Sequence, residues 1–446
     1  MSRLTADIAH DASKVMLDDI SPEARRVARH CILDLLAVTL AAWKDPLAQI
    51  LLDEAKDEQS RPVSTILGSG YRTSASQAAL VNGTTSHALD YDDASLALNG
   101  HPSAAILPAV LAEAEAIGAS GEAVLTAFVA GYEAACRIGS LMHPDHYRRG
   151  FHNTATIGAL GAAVACSRLL GSDAATVRRA LGIAGTLAAG LKHSFGTMSK
   201  PLHAGWANHT GLMAARYARR GLTSREDMLD AEYGFARTMS RDHHLNRAYA
   251  RPNGGWHILN NLFKYHACCY NIHAPIDAAR EIMARSGIVA DAIKQVTIQV
   301  SPVLDTVCNV QDPQSGLEIK FSLRHAVAMA LCGVDTADIA SFSDANALRP
   351  DLVAMRDRVA VEWIEAEDTF ARVIIENDDG ARLEATADSS IPSANLDQQE
   401  AKLTTKFAAL VNPILGVGRA NQVIATISEF ESLEDVNVLL LGCVSD

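Results

Sequence analysis

The sequence is short of several signatures that would announce its chemistry. Eight cysteines occur in 446 residues (31, 136, 166, 268, 269, 308, 332 and 443), but no CxxC pair and no framework spacing relates them. Reduced core thiols and a cytoplasmic setting are expected from this. Neither CxxC nor HExxH is present, and His143 with His146 is too little for a zinc site, so no metal is expected. No GxGxxG opens a strand-helix unit, and GSGYRTSAS (68–76) lacks the GK[ST] ending of a phosphate loop. Nucleotide and dinucleotide cofactors are therefore not expected, and the absence of GxSxG removes the commonest serine-hydrolase pattern. Positive charge is scarce as well: the formal net charge is −13 and the pI near 5.6, which argues against a nucleic-acid partner. No apolar run reaches the roughly 18 to 20 residues that span a bilayer, so no membrane partner is expected. The first residues, MSRLTADIAHDASKVML, are too polar and acidic for a signal or transit peptide.

Aromatics make up only 5% of a chain that is 48% hydrophobic and rich in alanine, a composition suited to close-packed helices. From Ser21 to Trp43 apolar residues recur at helical spacing, with Ser21 as N-cap and Pro22 at the first helical position. Similar segments are expected near 75–88, 103–116, 120–139, 155–170, 174–190 and 205–220. After about residue 270 the pattern changes to period two in QVTIQVS (295–301), RVAVEW (358–363) and ARVIIENDDGARLEATA (371–387), the last with a hairpin turn at Asp379-Gly380. Helical periodicity then returns. The expected fold is mainly α, with a helical domain from residues 1–267 and 396–446 and a smaller α+β domain from 268–395.

Four clusters carry groups able to do chemistry. HALDYDDASLALNGHPSAA crowds Asp90, Asp92, Asp93, His87 and His101 together. Here NGHPSAAILPA reads as loop, proline turn and a helix capped by Ser103, which puts His101 before a helix N-terminus, where an anion is stabilised. For Asp92 and Asp93 a cap or surface ion pair stands beside a functional role. In DHYRRGFHNTATIGALGAA, Thr154 or Thr156 caps a helix, and Tyr147, Arg148, Arg149 and His152 lie on the loop feeding its positive end. In GTMSKPLHAGWANHTG, Lys200 precedes Pro201 and is expected in extended or turn backbone, partly enclosed and basic enough to act as a base. KYHACCYNIHAPIDAA adds Lys264, His266 and His273. With no cofactor in view, acid, base and cation chemistry next to a carboxylate is what these groups suit.

Taken in order, NGTTSHALDYDD, GHPSAAILPA, GYEAACRIG, GFHNTATIGALGAA, SKPLHAGWAN, KYHACCYNIHAPIDA and FSLRHAVAMAL resemble the MmgE/PrpD family over nearly the whole chain. The resemblance implies a helical domain of N- and C-terminal segments joined to an α+β lid, a homodimer, no cofactor, and site residues at Asp90, His101, His152, Lys200 and His273. Two positions depart from the family's dehydratase and decarboxylase pattern: Ala94, followed by Ser95, stands where threonine is usual, and His325 replaces a tyrosine. Together with chain length, these point to the iminodisuccinate epimerase branch, an isomerase acting on a small polycarboxylate. In that reading Lys200 and Tyr147 form the acid–base pair and Asp90 orients a histidine, while His101, His152, His273, Arg148 or Arg149, His325 and Ser95 hold the substrate. The alternative is a lyase, a dehydratase or decarboxylase of a 2-methylcitrate- or aconitate-like tricarboxylate.

Overall fold

The computed structural model describes residues 3–445. Its mainly α architecture follows the alanine and glycine content, and among the described residues no single helix is long and apolar enough to cross a membrane. The chain divides into two compact units, one holding the residues up to Ala88, Asp92–Phe263 and those from Ser393, the other Leu89–Tyr91 and Lys264–Pro392.

The first unit contains α1 (Leu4–Lys14), α2 (Pro22–Ala42), α3 (Pro46–Glu58), α4 (Ala75–His87), α5 (Pro102–Ile117), α6 (Gly121–Met142), α7 (Asn153–Leu169), α8 (Ala174–Leu187), α9 (Ser199–Arg219) and, from the C-terminal segment, α12 (Leu396–Ser428). Side-chain caps fix several starts: Ser21 accepts from the Ala24 amide, Ser74 from Gln77, Ser120 from Ala123 and Asp173 from Thr176. Small residues let α4, α5, α7 and α9 approach closely. A Cβ on Gly205 of α9 would stand 2.1 Å from Thr84 Oγ1 of α4, one on Gly158 of α7 2.5 Å from Ala105 of α5, and one on Gly211 of α9 2.4 Å from Ala162 of α7. No larger residue fits at these crossings.

Pro108 interrupts the backbone ladder of α5 because it has no N–H to offer the Ala104 carbonyl. Asn208 of α9, fully buried, repairs the break: its Nδ2 donates to Ala104 O at 2.7 Å and its Oδ1 accepts from the Ala109 amide at 2.8 Å. One side chain thereby ties α5 to α9. Helix α12 joins α2 through a buried ion pair, Lys406 Nζ to Asp34 Oδ1 at 2.6 Å, and through Gln399 with His30 at 2.9 Å. It kinks at Gly416, where φ is 75°, a value that suits glycine.

The second unit is built on a four-stranded sheet of β1 (Ile293–Val300), β2 (Val359–Trp363), β3 (Phe370–Asn377) and β4 (Arg382–Asp388), in the order β2-β1-β3-β4. Strand β2 runs parallel to β1, with Val296 opposite Val359, and the other pairs are antiparallel, with Val296 opposite Ile375 and Val373 opposite Ala385. The β3–β4 hairpin turns at Asp378–Ala381, Gly380 taking φ 78°. Helix α10 (His273–Ser286) covers β3 and β4 and packs on α11 (Leu323–Leu331).

Two local expectations need correction. Ser103 does not cap α5; His101 is the N-cap residue, and the Asp93 carboxylate takes the Ser103 amide at 3.3 Å and its hydroxyl at 2.5 Å. Lys200 is not in extended or turn backbone but in the first turn of α9, with Pro201 beside it. Proline is tolerated there because first-turn amides have no partner within the helix.

Candidate active site

In the first unit the close helix crossings bring four chain positions together. His87 ends α4, His101 is the N-cap of α5, His152 the N-cap of α7, and Lys200 lies in the first turn of α9. The His87 ring centre is 4.6 Å from that of His101 and 6.0 Å from that of His152, and His152 Nδ1 is 3.0 Å from His203 Nδ1. Thr154, expected as a possible cap of α7, instead accepts the His101 amide at 3.2 Å, so the starts of α5 and α7 are pinned side by side. Lys200 is only 6% exposed and its charge acts on His87, His152 and His203. Three helix N-termini, each carrying partial positive charge, thus meet around an ammonium and four imidazoles, an arrangement that favours an anion.

Hydrogen bonds fix the protons in this cluster. His101 Nδ1 lies 2.7 Å from the Asp93 carbonyl and 3.3 Å from Asp92 Oδ2. A carbonyl only accepts, so Nδ1 carries the hydrogen and Nε2, which has no partner among the described residues, is left to take or give a proton. His87 Nδ1 sits 2.9 Å from Asp92 Oδ2, and its Nε2 is buried without a hydrogen-bond partner among the described residues. Burial resists ionisation of Asp92, but His87 and His101 outweigh it and hold the carboxyl well below its ordinary value. Burial pushes His87 down to about 4 despite Asp92, and pushes His152 well below its ordinary value with help from Lys200 and His87. Asp93 moves the other way, to about 7, chiefly through burial and against the Ser103 hydrogen bond, with Asp34 adding to the rise.

Ligand-capable atoms of His87, Asp92 and His101 lie within 4.8 Å of one another. His101 Nδ1 is hydrogen-bonded to the Asp93 carbonyl, so a metal bound at that nitrogen would have to displace its hydrogen.

These shifts imply an acid-labile fold. Burial pushes His87, His146, His257 and His325 down to about 4 in the folded chain and holds His152 well below its ordinary value, against 6.5 in the unfolded chain. A depressed imidazole stabilises the fold fully above 6.5, and that stability is lost as pH falls toward 4. Asp93 and Glu133, both pushed to about 7, work in the opposite direction, but the five imidazoles outnumber them. Thermal unfolding followed by calorimetry is expected to show Tm falling steadily across this window; a level Tm would contradict the assignment of buried neutral rings.

The other sequence candidates are placed as follows. Ser95 is buried, its hydroxyl 3.5 Å from Cys136 Sγ and accepting the Leu98 amide at 3.4 Å, so it serves the turn that closes on Gly100. Tyr147 is half-buried in the short helix Asp145–Arg148, its ring under the Lys192 ammonium at 3.8 Å, whereas Lys200 stands 5.6 Å from the Phe195 ring. Arg148 and Arg149 are exposed. In the second unit Asp90, at φ 52°, lies 3.1 Å from Lys264, which is fully buried and also donates to the Asp90 carbonyl at 2.7 Å. The carboxylate that contacts two imidazoles is Asp92 rather than Asp90. His273 packs its ring 4.9 Å from His266 and 5.0 Å from Tyr270. His325 is buried in α11 and donates from Nε2 to the Asn346 carbonyl at 3.1 Å, while its Nδ1 has no hydrogen-bond partner among the described residues. His87, Asp92 and His203 are members of the first-unit cluster that were not assigned site roles from sequence.

The profile of the MmgE/PrpD N-terminal domain matches residues 6–248, and that of the C-terminal domain residues 266–431. A cis-aconitate decarboxylase of Aspergillus terreus is 26% identical over 99% of this chain and 96% of its own length. The human cis-aconitate decarboxylase is 28% identical over 92% of this chain and 88% of its own, and the mouse protein of that name 26% over 93% and 88%. Decarboxylases are lyases, so these relatives overturn the expected isomerase and favour the lyase alternative over an iminodisuccinate epimerase. With both domains matched in order over most of its length, the chain belongs to the MmgE/PrpD family.

Proposed function

We propose that this protein is a lyase that decarboxylates cis-aconitate or a closely similar unsaturated tricarboxylate. The relatives supply the reaction class, and the observation that carries it to this chain is the meeting of three helix N-termini with Lys200, His101 and His152 in one buried cluster. A tricarboxylate needs several cationic or hydrogen-bonding groups, and this cluster provides them where water is largely excluded. In the reaction the bond to one carboxyl group breaks and carbon dioxide leaves. The electron pair left behind spreads through the adjacent double bond toward a remaining carboxylate, and a proton is then delivered to carbon. Lys200 and the helix ends hold the carboxylates and stabilise that spread charge. His101 in its imidazolium form delivers the proton from Nε2 and is left neutral with its remaining hydrogen on Nδ1, the ring held by the Asp93 carbonyl and the Asp92 carboxylate.

The test is incubation with cis-aconitate, trapping of released carbon dioxide and NMR of the product, an unsaturated dicarboxylate. Lys200→Met is expected to lower kcat/KM about 10- to 100-fold, the size of one charge-assisted hydrogen bond of about 1.5–3 kcal/mol. Absence of carbon dioxide release by the wild-type protein would discard the reading. Loss of water from a hydroxytricarboxylate instead, seen as a rise in ultraviolet absorbance, would replace it with a dehydratase.

A further inference from the structure

His203 stands in the catalytic cluster without a part in the proton transfer. It follows Lys200 by three residues on α9, so both side chains leave the same face of the helix. Its Nδ1 lies 3.0 Å from Nδ1 of His152, the N-cap residue of α7, which is buried. The segment before α9 holds this pair from a third side. The Gly190 carbonyl accepts the His152 amide at 3.0 Å, and a Cβ on Gly190 would stand 3.5 Å from the His203 ring and 2.4 Å from Ala155 Cβ, so the bare backbone packs against both helices. Phe195 sets its ring edge-on to His152, with the centres 5.0 Å apart. Three chain segments thus fix how the two imidazoles meet.

The hydrogen between the two nitrogens belongs to one of them. Both rings are neutral, because burial lowers each imidazole and the Lys200 ammonium lowers both further. A neutral imidazole has a single N–H, so the ring that donates across the contact keeps its other nitrogen as an acceptor. With Nδ1 of His152 spent on His203, Nε2 is the ring nitrogen left for a ligand. A carboxylate only accepts. Nε2 of His152 must therefore carry the hydrogen and Nδ1 must accept, which makes His203 Nδ1 the donor of the pair. With the roles reversed, His152 would present a lone pair to a carboxylate oxygen and repel it.

We propose that His203 is a positioning residue, which donates from Nδ1 to His152 Nδ1 and so fixes His152 as the Nε2–H tautomer that binds a substrate carboxylate. This role rests on the reading of the cluster as a polycarboxylate site. The bond from His152 to the carboxylate is made in the ground state and the transition state alike, so weakening it affects binding rather than the chemical step. His203→Leu is expected to raise KM for cis-aconitate about tenfold with kcat changed by less than about threefold. His203→Asn, whose amide nitrogen falls near the Nδ1 position and can donate, is expected to bring KM back to within about threefold of the wild type.

The tautomer itself is read by ¹⁵N NMR of the full chain labelled at its histidine rings, alone and with tricarballylate, a saturated tricarboxylate that serves as an unreactive probe. The His152 signals are assigned by their loss in His152→Asn. In both samples Nε2 of His152 is expected to carry the hydrogen and Nδ1 to lack it. A hydrogen on Nδ1, an unchanged KM in His203→Leu, a kcat that falls in step with kcat/KM, or no recovery in His203→Asn would overturn the proposal. If the wild-type protein releases no carbon dioxide from cis-aconitate, the decarboxylase reading falls, and the His152 tautomer still decides the role of His203. Should His203→Leu not fold, the wild-type spectrum decides.

Discussion

His101→Asn is expected to lower kcat for cis-aconitate by about 10²- to 10⁴-fold, the range for loss of a positioned acid or base, with little change in Tm. Asparagine is the informative replacement because its amide nitrogen falls near the position of Nδ1. It can still donate to the Asp93 carbonyl, 2.7 Å from the imidazole in the wild type, so the turn ending at Asn99-Gly100 keeps its anchor. What disappears is Nε2, the one ring nitrogen that the hydrogen bonds leave free for proton transfer. Stopped assays and unfolding curves on the same preparation separate the two contributions. A variant that turns over at the wild-type rate would remove the imidazole from the mechanism; one that is slow and also unfolds early would place His101 in the scaffold.

Lys406→Met is expected to destabilise the first unit by about 3–5 kcal/mol, the cost of leaving one member of a buried ion pair without its counter-charge. Asp34 and Lys406 are 1% and 4% exposed, at 2.6 Å, and they join α2 to the C-terminal α12. Asp34 also adds to the charge that pushes Asp93 toward its neutral form, so an uncompensated Asp34 would disturb the carbonyl-bearing residue that steers His101. Urea denaturation followed by circular dichroism checks the magnitude. The double variant Asp34→Asn with Lys406→Met is expected to recover much of the loss, since two neutral groups of similar volume pack without a stranded charge. No recovery in the double variant would mean that the methylenes of Lys406, not its charge, hold the helices together.

How far the site could be read in advance depended on backbone that the residues themselves do not spell out. His101 was legible: Pro102 at a helix start and the preceding Asn99-Gly100 turn place it at a helix N-terminus, where the structure has it. Lys200 was legible as an enclosed cation but not in its conformation. The rule that a residue before proline avoids helical backbone gives way inside the first turn, where proline's missing N–H costs nothing. Reading the segment as extended hid His203, three residues on and therefore on the same helix face as Lys200. Asp92 was harder. Its contact with His87 depends on how the chain reverses after α4, with Asp90 at φ 52° held by Lys264, and that reversal has no glycine to advertise it. The hairpin of the second unit was the easy case, because Asp379-Gly380 lies between strictly alternating runs. The departures at Ala94 and His325 drew the reading toward an isomerase. His325 is buried in α11 and bonded to the Asn346 carbonyl through Nε2.

The amide of Asn208 has a mechanical meaning. Helices α5 and α9 carry His101 and Lys200 at their starts, and both faces of one carboxamide are clamped across the gap that Pro108 opens. Neither rod can slide along the other without forfeiting two bonds at once. The proton carrier and the ammonium therefore keep a common frame of reference, set from a buried point several residues below the chemistry.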